Sequence, residues 1–221
     1  MDVSEAVATR HSVRAFLDRP VGKDVLLRVL QKARQTPSGG NVQPWHGVVV
    51  GGARLQALLV QVAAKIAAKE STPEYEIYPP ELPEPYRARR SGCGEEMYAA
   101  LGIPREDRPA RLAQVMRNFT AFGAPAVLFC HTPAFMGKPQ WSDLGMWLQT
   151  IMLLLREEGL DSCPQEAWSA HGGTIRATLG IPQDHVLFCG IAIGYADVQA
   201  PVNSACISRA SLSETVRFEG F

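Results

Sequence analysis

Apolar and polar positions alternate along this chain with two periods, and each period marks a set of elements. In "DVSEAVATR" Val3, Ala6, Val7 and Arg10 share a face, and Asp2 stands three residues before Glu5 in a capping-box-like start, which predicts a helix over about 3–9. "KDVLLRVLQKARQ" places Leu26, Val29, Leu30 and Ala33 on one face, a helix over about 23–34 that Pro37 and Gly39–Gly40 stop. "HGVVVGG" reads as a short buried strand bounded by glycines. The next helical spacing, in "RLQALLVQVAAKIAAKE", runs through Leu55, Leu58, Leu59, Val62 and Ile66.

The second half continues the alternation of helices and strands. "PARLAQVMRNF" is helical and "APAVLFCH" reads as a central strand. "WSDLGMWLQTIMLLLREEGL" is the most apolar helix, with Leu144, Trp147, Leu148, Ile151, Leu154 and Leu155 over more than half its circumference. Such a helix must be buried on most sides, in the core or between subunits. "AWSAHGGTIRATLG" is a weaker helix broken at Gly172–Gly173, and "HVLFCGIAIGY" is a second buried strand. The tail from residue 195 onward has loop and short-strand character.

One region breaks the pattern. Residues 71–94 carry Pro73, Pro79, Pro80, Pro83 and Pro85, a density that predicts no regular element. Tyr75, Ile77, Tyr78, Leu82 and Tyr86 still offer packing surface, so the region reads as an ordered excursion, a candidate lid.

Composition narrows the function. The chain has 221 residues, 46% of them hydrophobic, and its 22 basic and 22 acidic residues balance. That balance speaks against a general nucleic-acid binder or a protein of acidic membrane surfaces. No apolar run approaches the roughly 20 residues of a bilayer span, and the N-terminus lacks the apolar segment of a signal peptide. The five cysteines form no C-x-x-C pair and read as reduced thiols of a cytoplasmic protein. No dinucleotide fingerprint, Walker A sequence or G-x-S-x-G is present, and the five histidines have no metal-ligand spacing.

What remains is chemistry for binding anions and amides. "RHSVR" gathers Arg10, His11, Ser12 and Arg14 after the first helix. Arginine offers a planar fork of donors that matches phosphate, and in an extended segment Arg10, Ser12 and Arg14 would line one wall. "TPSGGNVQPW" offers Ser38, Asn41 and Gln43 as donors and acceptors, glycines that admit close backbone approach, and Trp45 as a packing surface. "YRARR" could steer an anionic acceptor or the phosphates of a nucleotide donor.

Together these motifs resemble the FMN-dependent nitroreductase family. "RHSVR" followed some 25 residues later by "PSGGNVQPW" resembles its paired N-terminal motifs, and "RNFTAFGAPAVLFC", "WSDLGMWLQTIMLLLREEGLDSCPQEAW" and "GIAIGYADVQAPVN" resemble its later blocks. The resemblance spans essentially the whole chain. It implies a single α+β domain over 1–221, a mixed and mostly antiparallel sheet flanked by helices, in an intertwined homodimer around the long apolar helix. Residues 71–94 would cover the active site, and 195–221 would pack on the partner subunit. FMN would sit between subunits. Arg10 and Ser12 would meet its phosphate and ribityl chain beside His11, and Arg14 the pyrimidine edge. Pro37, Ser38, Gly39 and Asn41 of the other subunit would lie against ring and ribityl chain. Asn118 would reach the ring's polar edge, Glu166–Ala167 the reactive nitrogen, and Arg209 the phosphate. A second basic residue that some members carry two positions before that arginine is Ile207 in this chain. The implied reaction is ping-pong transfer from NADH or NADPH through FMN to a small nitroaromatic, quinone or similar acceptor, with no catalytic side chain. Dehalogenation, enone reduction, flavin destruction and non-catalytic FMN binding are the alternatives on such a scaffold.

Overall fold

A computed structural model describes residues 1–221. The chain builds α1 (Val3–Thr9), α2 (Lys23–Ala33), β1 (His46–Gly51), α3 (Gly52–Ala67), α4 (Tyr86–Ala100), α5 (Arg108–Met116), β2 (Ala126–Pro133), α6 (Lys138–Glu157), β3 (Asp161–Gln165), α7 (Gly172–Leu179), β4 (His185–Gly194) and α8 (Leu212–Thr215). The four strands form one antiparallel sheet in the order β1-β2-β4-β3.

The period of two in the central strands decides the layering. Ala126, Leu128 and Cys130 of β2, with Cys189, Ile191 and Ile193 of β4, pack on one face against Leu26 and Val29 of α2 and Leu144, Trp147, Ile151 and Leu155 of α6. The intervening Val127, Phe129 and Ala192, with Leu187 beyond the register shift at Cys130–His131, pack on the other face with Leu55, Leu58 and Val62 of α3, Ile175 of α7 and Trp168. Both faces of the sheet are therefore covered, which is why β2 and β4 read as continuous apolar runs. The caps follow the sequence too: Asp2 accepts from the Glu5 amide at 2.7 Å, and Asp107 from the Ala110 amide at 3.0 Å.

Three parts of the chain depart from the sequence reading. α4 begins at Tyr86, so residues 86–94 are helical and only 71–85 form an irregular excursion. α4 buries no side chain completely, hence it has no apolar stripe to detect. β3, "DSCPQ", is an edge strand whose Pro164 loses nothing by lacking an N–H, and its polar composition hides it. The tail contains a 3-10 turn at Pro201–Ser204 and the short α8 rather than strands, and it crosses α4 of the same chain through Arg89–Glu214 and the Ser208 amide on Glu96.

Three histidines gather at one end of the sheet. His131 Nδ1 lies 2.8 Å from His185 Nδ1, and His46 stacks on His131 with ring centroids 5.4 Å apart. Burial first, then His185 and His46, lowers the His131 imidazole to about 4; burial and His46 also lower His185, against the pull of Asp184. The fold thus favours the neutral form of His131 and His185, while the unfolded chain binds protons below about 6.5. Stability should accordingly fall as pH drops from about 6.5 to 4, by on the order of 2–3 kcal/mol from His131. Urea unfolding across that range checks this, and His131→Phe should flatten the slope; a wild-type curve with no slope there would refute it.

Candidate functional site

The segment after α1 is extended and runs beside β3. Ser12 pairs with Ser162 in an isolated parallel bridge, and the Val13 amide donates to Ser162 O at 3.1 Å. Val13 and Ala15 turn into the core, while Arg10, Ser12 and Arg14 stay half-buried on the other side, as the alternation requires. His11 points to solvent and its Nδ1 meets Thr9 O at 3.2 Å.

The strand is clamped from far along the chain. Asn203 Oδ1 accepts from the Arg14 amide at 2.8 Å, and Asn203 Nδ2 donates to Ala15 O at 2.8 Å and Asp197 O at 2.9 Å. The Arg14 guanidinium donates to Ser12 O at 3.3 Å. Neither Arg10 nor Arg14 is salt-bridged to a carboxylate. Partial burial, and next the nearby Arg209 charge, pulls Arg10 below the ordinary arginine range. Arg209 itself donates to Ile207 O and Ser208 O, at 2.8 and 3.0 Å. A half-buried guanidinium with no carboxylate partner and a second guanidinium nearby calls for an anion.

Arg14 also lines a cavity of about 400 Å³ with Gln114, Asn118, Cys163 and Pro164, closed on another side by Tyr78, Arg90 and Met97; no Asp or Glu lines it. Burial pushes the Cys163 thiol up to about 11, so it is a neutral wall rather than a nucleophile. Asn118 is held from both ends. Its Nδ2 donates to Val115 O at 2.8 Å, and Gln165 Nε2 donates to its backbone O at 2.8 Å and its Oδ1 at 3.2 Å. Gln165 Oε1 in turn accepts from Trp168 Nε1 at 3.1 Å. Gln114 is buried, and its Nε2 has no hydrogen-bond partner. Glu166 and Ala167 open the 3-10 turn that follows β3; Glu166 still reaches solvent, yet the protein crowded around it raises its carboxyl.

The loop of "PSGGN" lies elsewhere. Gly40, Asn41 and Gln43 take positive φ of 55°, 56° and 51°, a tight path that Gly and Asn tolerate. Gln43 N donates to Ser38 Oγ at 2.9 Å, and the Gly39 amide leans on the buried Asp143 of α6 at 3.4 Å. Trp45 stacks on Trp147 with centroids 5.9 Å apart, so it packs against its own chain. Pro37, Gly39 and Asn41 are exposed, Ser38 is half-exposed, and none of the four lines the cavity. The chain therefore brings Arg10, Ser12, Arg14, Asn118 and Arg209 to one region and leaves Pro37–Asn41 outside it. A larger cavity of about 560 Å³, between α2 and the edge of β1, contains none of these residues.

Asn203, Gln165 and Gln114 escape sequence reasoning. Each acts through a partner distant in sequence or in a cavity, and a lone amide carries no local signal.

Comparison with known proteins follows the same lines. The Nitroreductase family profile matches residues 7–195. The chain is 35% identical to a nitrobenzene nitroreductase of Ectopseudomonas oleovorans over 98% of its length and 96% of that protein's. It is 33% identical to a 4-nitrobenzoate reductase of Pseudomonas putida over 100% of its length and 96% of that protein's. Among solved structures, the FMN and NADPH-dependent nitroreductase NfnB of sphigopyxis sp. strain HMH superposes with a TM-score of 0.98 at 51% identity, covering 100% of both chains. The FMN-dependent NfnB of Mycobacterium smegmatis, in complex with NADPH, superposes at 0.93 with 34% identity over 99% and 100% of the two chains.

Proposed function

This chain belongs to the Nitroreductase family, and from that premise we propose that it is an FMN-dependent oxidoreductase that uses NAD(P)H to reduce nitroaromatic and similar electron-poor small molecules. The observation that carries the cofactor assignment is the half-buried Arg10, which is salt-bridged to no carboxylate and has a second guanidinium, Arg209, nearby. The buried, unpartnered Nε2 of Gln114 in an acid-free cavity fits the same ligand, because an acceptor atom there would satisfy it.

In this reading Arg10, Ser12 and Arg209 hold the phosphate end, with His11 at the rim. Arg14 and the doubly fixed Asn118 bind the polar edge of the ring, beside the backbone at Glu166–Ala167. FMN, when bound, supplies the two-electron chemistry that links donor to acceptor. Arg14 contributes a fixed positive charge that favours negative charge at that edge. Gln165, braced by Trp168, keeps Asn118 from swinging away. No side chain need serve as nucleophile or metal ligand.

Pro37, Ser38, Gly39 and Asn41 complete the site from a second subunit, since their own chain keeps them off its cavity. Exposed Val3 and Val7 on α1, Met146 on α6, and Phe218 and Phe221 in the tail supply apolar surface for that homodimer, with the tail packing on the partner. Residues 71–94 form the lid. No helix is long and apolar enough to cross a membrane, and five free cysteines suit a cytoplasmic protein.

Anaerobic mixing of the purified holoprotein with NADPH or NADH should bleach the flavin band, and 4-nitrobenzoate or nitrobenzene should restore it. A band that neither donor bleaches would refute the reductase reading.

A further inference from the structure

The arginines of α4 divide into two kinds. Arg87 pairs with Glu84 at 2.7 Å and Arg89 with Glu214 at 3.0 Å. On the facing helix α5, Arg111 takes both oxygens of Glu95, at 2.7 and 2.8 Å. Arg90 is salt-bridged to no carboxylate. Its guanidinium carbon lies 3.9 Å from the centroid of the Tyr78 ring. Stacking engages the flat face of a guanidinium and leaves the N–H donors around its rim unspent.

The position of Arg90 gives those donors a target. It lines the cavity that contains Arg14 and Asn118, and also an adjoining cavity of about 490 Å³ beneath Pro79 and Pro80. The first has no acidic lining residue. The only acid lining the second is Glu95, already taken by Arg111. Any ligand entering between the two meets a cation held in place by Tyr78, with no carboxylate competing for it. Arg14 is committed to the cofactor in the functional reading above, so Arg90 is the cation left for the second ligand.

We infer that Arg90 recognises an anionic oxygen group on the molecule that enters beside the flavin, and that it biases the enzyme toward negatively charged partners. The inference rests on the FMN site proposed above. Two molecules could present that group: an aromatic acceptor with a carboxylate, or the nicotinamide donor with its phosphates. Both would dock by the same charge-assisted hydrogen bonds.

Calorimetric titration of the holoprotein with benzoate and with benzamide, a pair of equal shape and different charge, separates charge recognition from turnover. Steady-state KM values for NADPH and NADH with a neutral acceptor, 4-nitrobenzamide, give the second arm. If the acceptor carries the anion, Arg90→Gln should lower the preference for benzoate over benzamide about 10-fold, near the low end for a hydrogen bond to a charged group. Arg90→Lys should restore part of it, and Arg87→Gln should not change it. If the donor carries it, Arg90→Gln should leave the benzoate preference intact. It should then raise KM for NADPH alone when the 2′-phosphate is read, or for both donors when the pyrophosphate is. An unchanged benzoate preference together with unchanged KM for both donors would overturn the inference. Failure of 4-nitrobenzamide reduction by either donor would instead strike at the proposed function, and the titration arm would still decide the role of Arg90.

Discussion

Arg10→Ala should release FMN. The phosphate of FMN carries close to two negative charges, and in this account Arg10 and Arg209 are its cations. Removing one partner of a desolvated charge pair costs about 2–5 kcal/mol, or roughly 30- to several thousand-fold in Kd. The structure makes Arg10 the more costly loss of the two. Arg10 is half-buried at the end of α1, whereas Arg209 is exposed and already donates to two carbonyls of its own segment. Flavin fluorescence on serial dilution measures the change. Unaltered FMN retention by the variant would take Arg10 out of the site. The fold should survive the substitution, because Arg10 makes no salt bridge and leaves the Val13 and Ala15 core positions untouched.

The second large effect concerns stability. Trp168 is fully buried, edge-on to Phe119 at 5.6 Å and Phe129 at 5.5 Å. The close approach is possible because residue 190 is glycine: a Cβ there would stand 2.6 Å from Trp168 Cδ1. Trp168→Ala empties this space and should cost about 3–5 kcal/mol. Gly190→Ala overfills it and should cost about 1–3 kcal/mol. Trp168→Ala also strips Gln165 Oε1 of its donor, so Asn118 loses its brace and FMN should bind more weakly even in the folded fraction. Urea unfolding reads the first effect and flavin titration the second. A Trp168→Ala protein with a wild-type midpoint would contradict the packing account.

How far the sequence could be read follows from where each signal lives. The alternation in "RHSVR" is local and strong: Val13 had to face the core, so Arg10, Ser12 and Arg14 had to share the opposite side. β2 and β4 were legible because both faces of each are covered, and α6 because so much of its circumference is apolar. α6 in fact buries Leu144, Trp147, Ile151 and Leu155 in its own chain's core, leaving Met146 among the residues for a partner. α4 was hidden by Gly92, Gly94 and the lack of an apolar stripe, and β3 by Pro164 and its polar neighbours. Asn203 holds Arg14 across 189 positions of chain, a relation no window of sequence displays. The separation of Pro37–Asn41 from Arg10–Arg14 also belongs to tertiary structure.

In the proposed function one chain supplies the arginine wall, another the "PSGGN" loop, and neither is expected to hold FMN alone. Sedimentation velocity of the holoprotein over a dilution series, recorded in both the protein and the flavin absorbance bands, tests it directly. The prediction is flavin that sediments only with the dimer and appears free as the monomer forms. Flavin sedimenting with the monomer would contradict it.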